Sequence, residues 1–295
     1  MAGKMDVGIG LPSHIPHTDG KTVIEWARRA DGLGFASLAV IDRIVYDSYE
    51  PLIALAAAAA VTRRARLTTA ILIGPLRTNV ALLAKQIASL QALSDDRFVL
   101  GIAVGGREDD FQAGSTDFKG RSRALERQIE ELRRIWSGES RGMAGAIGPT
   151  PSRAPTIIMG GHSEAVLKRA ARMADGWIMG GGVTPENFRK AAAQVRALWS
   201  AQGRREPPRL MALSYFALGG GAATQGRESV RDYYRFAGPY AEQAANSVLT
   251  SDNEIAERIA GLEEAGCDEL LLFPGIAQLE QVDLLAAAAL SKRDK

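Results

Sequence analysis

Short apolar runs alternate with longer segments of helical period along almost the whole chain. Val7-Gly8-Ile9-Gly10-Leu11 predicts a first buried strand. Residues 22–33 predict a helix with Val23, Ile24, Trp26, Ala27, Ala30 and Leu33 on its inner face, ended by Gly32 and Gly34. The alternation continues with strands at 37–41, 66–73, 98–104, 156–159, 177–179, 209–218 and 269–273. Helices are predicted at 51–61, 80–93, 121–136, 164–174, 185–201 and 279–290, and residues 227–266 read as mostly helical. The alanine run at 56–60 fits a helix lying close against a sheet, since alanine is the best helix former.

Roughly eight strand–helix units imply a parallel sheet covered by helices, and that number implies closure. The pattern predicts an α/β fold: one (β/α)8 barrel of the TIM type over residues 1–295. The glycine- and proline-rich stretch 138–155 is expected as a loop insertion at the barrel mouth rather than a domain boundary. An open doubly wound sheet is the competing architecture. A length of 295 residues suits a barrel, which usually takes about 250.

Composition narrows the class. With 46% hydrophobic and 24% charged residues the chain can bury a large core, and a net charge of +2 argues against a nucleic-acid-coating protein. Cys267 is the one cysteine, which excludes an internal disulfide, and no His/Asp/Glu set has metal-ligand spacing. Residues 1–11 carry no long apolar run and no stretch approaches a membrane span, so a cytoplasmic protein is expected.

Barrel enzymes carry their chemistry at the C-terminal strand ends. Two such ends are glycine clusters: Ile157-Ile158-Met159 runs into Gly160-Gly161-His162-Ser163, and Trp177-Ile178-Met179 into Gly180-Gly181-Gly182. Bare backbone at a helix start approaches an anion closely, so neighbouring turns of this kind make a phosphate cup. Other strand ends lead to His14 and His17, to Asp42-Arg43, to Gly74-Pro75-Leu76-Arg77 and to Gly105-Gly106-Arg107. Arg63, Arg64 and Arg66 precede a strand and so belong to the opposite face. Phe111, Tyr215, Phe216 and Phe273 are candidates either for an apolar pocket or for core.

In this arrangement the chain resembles the luciferase-like monooxygenase superfamily of flavin- and deazaflavin-dependent barrels. The resemblance rests on Glu25-Trp26-Ala27-Arg28-Arg29-Ala30-Asp31-Gly32-Leu33-Gly34-Phe35, on Leu83-Ala84-Lys85-Gln86 through Leu93-Ser94, on Gly101-Ile102-Ala103-Val104-Gly105, and on Gly160-Gly161-His162-Ser163 followed by Ala174-Asp175-Gly176-Trp177. It implies a flavin ring over the third and fourth strands, with Asp42, Ala70, Ile71 and Gly105 around it. It places the flavin phosphate at Gly160, Gly161, His162, Ser163, Gly180, Gly181 and Gly182, after strands five and six. It also implies a non-prolyl cis peptide, which would fall at Ala70–Ile71.

The departures bear on mechanism. Many relatives have Asp-His after the second strand; this chain has Asp42-Arg43. Gly106, followed by Arg107, stands where relatives carry an aromatic residue or glutamate. Arg43 is permanently charged and is no ordinary general acid, but it can stabilise a peroxyflavin or an anionic substrate. His14, Arg43 and Arg107 are the candidate catalytic residues.

The expected function is a monooxygenase using reduced FMN and O2 on a small organic substrate. The alternatives are F420-dependent hydride transfer, with Arg77 or Arg107 near an acidic tail, and a flavin-binding member without catalysis. A separate flavin reductase is a candidate partner. A homodimer through the second and third helices is a candidate assembly, while nucleic acid and membrane are not expected partners.

Overall fold

The computed structural model describes residues 4–291, so residues 1–3 of the 1–11 segment lie outside them. Its elements follow the predicted alternation: β1 Asp6–Gly10, α1 Gly20–Leu33, β2 Ser37–Val40, α2 Pro51–Val61, β3 Arg66–Thr69, β4 Leu72–Ile73, α3 Val80–Leu93 and β5 Phe98–Ala103. They continue with α4 Glu108–Ala113, α5 Arg121–Trp136, β6 Thr156–Gly160, α6 Glu164–Met173, β7 Gly176–Met179, α7 Pro185–Ala201 and β8 Arg209–Phe216. The chain closes with α8 Ala222–Tyr233, α9 Pro239–Asn246, α10 Asp252–Glu264, β9 Glu269–Pro274 and α11 Glu280–Ala289.

All the strand pairs are parallel, in the order β3-β2-β1-β9-β8-β7-β6-β5-β4, and β3 also pairs with β5. β3 and β4 are two halves of one stave, broken at the cis peptide Ala70–Ile71 that the resemblance implied. The sheet is therefore a closed eight-staved barrel wrapped by helices, and the open-sheet alternative is excluded. Glycines set its tight contacts: a Cβ on Gly101 would collide with the Thr69 carbonyl, whose own side chain donates to the Gly101 carbonyl at 2.7 Å.

Helix starts are fixed by side-chain caps. Asp19 accepts from Thr22 N–H at α1, Ser163 caps α6, and Thr184 with Asn187 makes a reciprocal capping box at α7. Core residues form two layers. Trp26, Phe35, Trp177 and Phe188 pack between sheet and helices, while Ile158, Met211, Leu271 and Phe273 fill the barrel. At the N-terminal face Arg66 and Arg209 flank the buried Glu269, which confirms that this basic cluster lies away from the strand ends.

Three expectations need correction. The 66–73 strand is interrupted. Residues 108–113, for which no helix is predicted, form α4, a segment too short and too acidic to show helical periodicity. The 138–155 insertion does not lie at the mouth: it joins a helix end to a strand start, and Ser152 and Gly148 bond to Asp96 and Lys85 on the N-terminal side. The mouth is covered instead by α8 and α9, inserted between β8 and α10.

Candidate active site at the barrel mouth

A cavity of about 630 Å³ opens at the C-terminal strand ends. The cis Ala70–Ile71 bond, Ile41 and Leu213 line its inner part, and Gly105, Gly106 and Arg107 follow from β5. Opposite, the two glycine turns after β6 and β7 stand side by side: Gly160, Gly161 and His162 on one, Gly180, Gly181 and Gly182 on the other. These are the fifth and sixth staves. Gly161 (φ +133°) and Gly182 (φ +65°) hold backbone conformations that suit glycine, and a Cβ on Gly180 would point into open space. Trp177 Nε1 donates to the Gly161 carbonyl at 2.8 Å, bracing one turn against the next strand.

The outer wall comes from α8, α9 and the 3-10 turn between them. Tyr233, Tyr234, Phe236, Tyr240 and Gln243 all face the cavity. The Tyr240 hydroxyl occupies the space beside Gly181 that a Cβ would need, and Gln243 Nε2 stands 3.8 Å from the Cβ position of Gly182. Tyr234 and Tyr215 share a hydroxyl–hydroxyl hydrogen bond of 3.0 Å. Burial raises the pKa values of Tyr215, Tyr233 and Tyr234, so these phenols stay protonated at neutral pH.

Arg43 lines the cavity with three aromatic rings around it: Tyr46 at 3.9 Å, Tyr233 at 5.0 Å and Phe236 at 5.8 Å from its guanidinium carbon. It donates to the carbonyls of Tyr233 (2.8 Å) and Val45 (3.0 Å). Burial lowers its pKa, and the neighbouring Arg107 adds to that shift. Arg107 lies 4.1 Å from the Phe236 ring centroid and pairs with Asp109 and Asp110.

Of the candidate residues named from sequence, Arg43, Arg107, Asp42, Ala70, Ile71, Gly105, Gly160, Gly161, His162, Gly180, Gly181 and Gly182 line this one cavity. Three others stand elsewhere. Ser163 caps α6. His14 is buried outside the lining, with ring nitrogens 3.2 Å from the Leu11 carbonyl and 3.1 Å from that of Pro274. Arg77 is turned away to Asp42 and Glu50, so it offers nothing to an acidic tail in the cavity. Asp42 itself uses its carboxylate structurally: it accepts from Ile73 N–H at 2.7 Å and pairs with Arg77. Burial pushes its pKa up, against the pull of that guanidinium.

His17 is exposed and pairs with Asp47. His162 sits exposed at the rim, where desolvation draws its pKa below the ordinary value. Phe111, Tyr215, Phe216 and Phe273 are core, outside the lining. Sequence reasoning missed the aromatic wall, although Tyr233-Tyr234, Phe236 and Tyr240 around Gly238-Pro239 form a dense aromatic cluster.

A closed parallel barrel wrapped by helices, with a cavity at the C-terminal ends of its strands, defines the class of α/β-barrel enzymes. The chain belongs to the luciferase-like monooxygenase family, whose match runs over residues 5–282. It is 31% identical over 220 residues to an uncharacterized protein of Mycobacterium tuberculosis, covering 64% of this chain and 75% of that one. An FMNH2-dependent dimethylsulfone monooxygenase of Pseudomonas fluorescens is 32% identical over 149 residues, 47% of this chain and 40% of the relative. An F420-dependent glucose-6-phosphate dehydrogenase of Tsukamurella paurometabola is 27% identical over 180 residues, 55% of this chain and 54% of the relative. Among solved structures, an F420-dependent secondary alcohol dehydrogenase superposes with a TM-score of 0.82 at 15% identity, covering 97% of this chain and 98% of that one. Among the described residues, no helix is long and apolar enough to cross a membrane.

Proposed function

We propose that this chain oxidises a small organic substrate with reduced FMN and O2. One observation carries the reading: the two glycine turns meet in a single cavity whose inner end holds the cis Ala70–Ile71 peptide. The residues fit a flavin phosphate and ring. Gly160, Gly161 and Gly180–Gly182 would hold the phosphate on bare backbone, with the Tyr240 hydroxyl and Gln243 amide beside them. Ala70, Ile71 and Gly105 would support the ring.

The bound flavin would supply electrons and the site of oxygen chemistry; the protein orients and shields. Tyr233, Tyr234 and Phe236 exclude water from the outer side, and the neutral phenols of Tyr233 and Tyr234 add no charge. Arg43 holds a fixed positive charge at the cavity edge and neither gives nor takes a proton at neutral pH. Use of reduced flavin as a substrate calls for a separate flavin reductase as partner. The 27% identical F420-dependent relative supports hydride transfer from F420 as a second reading.

Titration with FMN, reduced FMN and F420, followed by tryptophan or cofactor fluorescence, tests the proposal. Micromolar binding of reduced FMN supports it, and binding of F420 alone favours the second reading. No binding of any of the three rejects both. Gly180→Asp is the companion variant, because a side chain there meets open space while its charge opposes a phosphate. Gly161→Asp would confound the result, since φ is +133° and its Cβ would lie 3.0 Å from Val166.

A further inference from the structure

We infer that the substrate carries an anionic headgroup, a carboxylate or a sulfonate on an apolar body, docked against Arg43 with Arg107 behind it. This rests on the reading that the rest of the cavity holds the cofactor.

The bonding of Arg43 points to the missing anion. Among the described residues its hydrogen bonds go to neutral groups, the carbonyls of Tyr233 and Val45, and its Nε has no hydrogen-bond partner. A guanidinium has five N–H donors, so three have no protein partner: the buried Nε–H and one N–H on each terminal nitrogen. A half-buried cation so placed is costly without an opposite charge. Aromatic rings on three sides offset part of that cost and hold the guanidinium in position.

The neighbouring charges show that the lack of a partner is local to Arg43. Asp110 gives one carboxylate oxygen to the N–H groups of Ile44 and Val45 and places the other 3.4 Å from Arg107 Nε. Asp109 pairs with Arg107, Asp42 with Arg77, and Asp232 accepts from the Tyr46 hydroxyl and pairs with Arg235. Every carboxylate in reach is committed elsewhere. Arg107, 4.1 Å from the Phe236 ring that also faces Arg43, opposes the charge on Arg43, and the pull of Asp110 in the other direction is the smaller effect. A bound anion relieves that repulsion.

Placement separates this anion from a cofactor phosphate. Arg43 follows β2, three staves round the barrel from the first glycine turn. Ile41 and Leu213 line the inner cavity and suit an apolar body. The two-pronged donors of a guanidinium match a pair of oxygens on a planar carboxylate or on a tetrahedral oxyanion such as a sulfonate.

The test uses three probes of one length: hexanoate, hexanesulfonate and uncharged hexanamide. Each is titrated calorimetrically into the cofactor-free protein and into protein saturated with FMN and with F420. The expected result is that at least one anion binds about tenfold or more tightly than the amide. Arg43→Met should erase the preference and Arg43→Lys keep part of it. Thermal melts establish that both variants fold, and Arg107→Met provides an independent loss of preference should Arg43→Met not fold. Equal binding of anions and amide, or a preference that survives in Arg43→Met, overturns the inference and leaves the cofactor reading standing. A variant that weakens F420 but not FMN, with no change toward the probes, assigns the arginine to the cofactor and also overturns it. Failure of all cofactors to bind rejects the cofactor reading, and the cofactor-free titration still decides on the anion.

Discussion

Arg77 Nη2 donates to Asp42 Oδ1 at 3.1 Å, and its other terminal nitrogen closes on the second carboxylate oxygen, so the ends of two neighbouring staves are joined beneath the cavity. Asp42 is buried and also accepts from Ile73 N–H. Arg77→Met should therefore strand a buried carboxylate and cost about 3–5 kcal/mol in urea unfolding. Adding Asp42→Leu should recover much of that loss. If the double variant is no more stable than the single one, the pair is not the relationship described.

Glycines separate into structural and site positions. Gly101→Ala places a Cβ against the Thr69 carbonyl inside the sheet and should cost about 3 kcal/mol or prevent folding. Gly180→Ala meets nothing within 4 Å and should leave the melting temperature within a few degrees. Melts of the two variants should differ sharply; similar losses would contradict the packing.

Burial lowers the His14 pKa from 6.5 to about 4. Between those values the unfolded chain binds a proton that the folded chain refuses, so stability falls as pH drops from 6.5 through 4 and is restored above 6.5. The full effect is about 3 kcal/mol. Chemical denaturation of wild type and His14→Asn at neutral pH and near pH 4.5 should show a loss smaller by about 2 kcal/mol in the variant. Parallel pH profiles would mean that His14 is not held neutral.

We propose that the chain pairs with a second copy through α2 and α3. Ile53 (69% exposed), Leu82 (52%) and Leu93 (71%) leave an apolar groove between these helices. Sedimentation should give twice the chain mass, and Ile53→Glu with Leu82→Glu should give the monomer. A wild-type monomer at micromolar concentration would rule this out.

Much of the fold was legible because each strand–helix unit carries its own local pattern. Pro51, Val80, Arg121 and Pro185 open helices at their predicted positions. The glycine turns were legible for the same reason: a bare strand end before a helix is written in consecutive residues. The aromatic wall was not. Tyr233 ends α8, Tyr234 follows it and Tyr240 belongs to α9, so no single periodic face marks them, and only the return of α8 and α9 over the mouth turns them to the cavity. His14 misled because Pro12 starts a 3-10 turn that directs the ring inward, beneath the Tyr233 ring. The position of the 138–155 loop was lost because glycine and proline content marks a loop without saying which end of the barrel it occupies.

One segment, from Tyr233 to Gln243, touches both ends of the cavity: Tyr240 and Gln243 at the glycine turns, Tyr233 and Phe236 at Arg43. A ligand that orders this segment from either end spares the other ligand part of the ordering entropy. Affinities at the two ends are then thermodynamically linked. The factor by which FMN tightens hexanoate must equal the factor by which hexanoate tightens FMN. Shortening the segment should weaken both affinities and abolish their cooperativity.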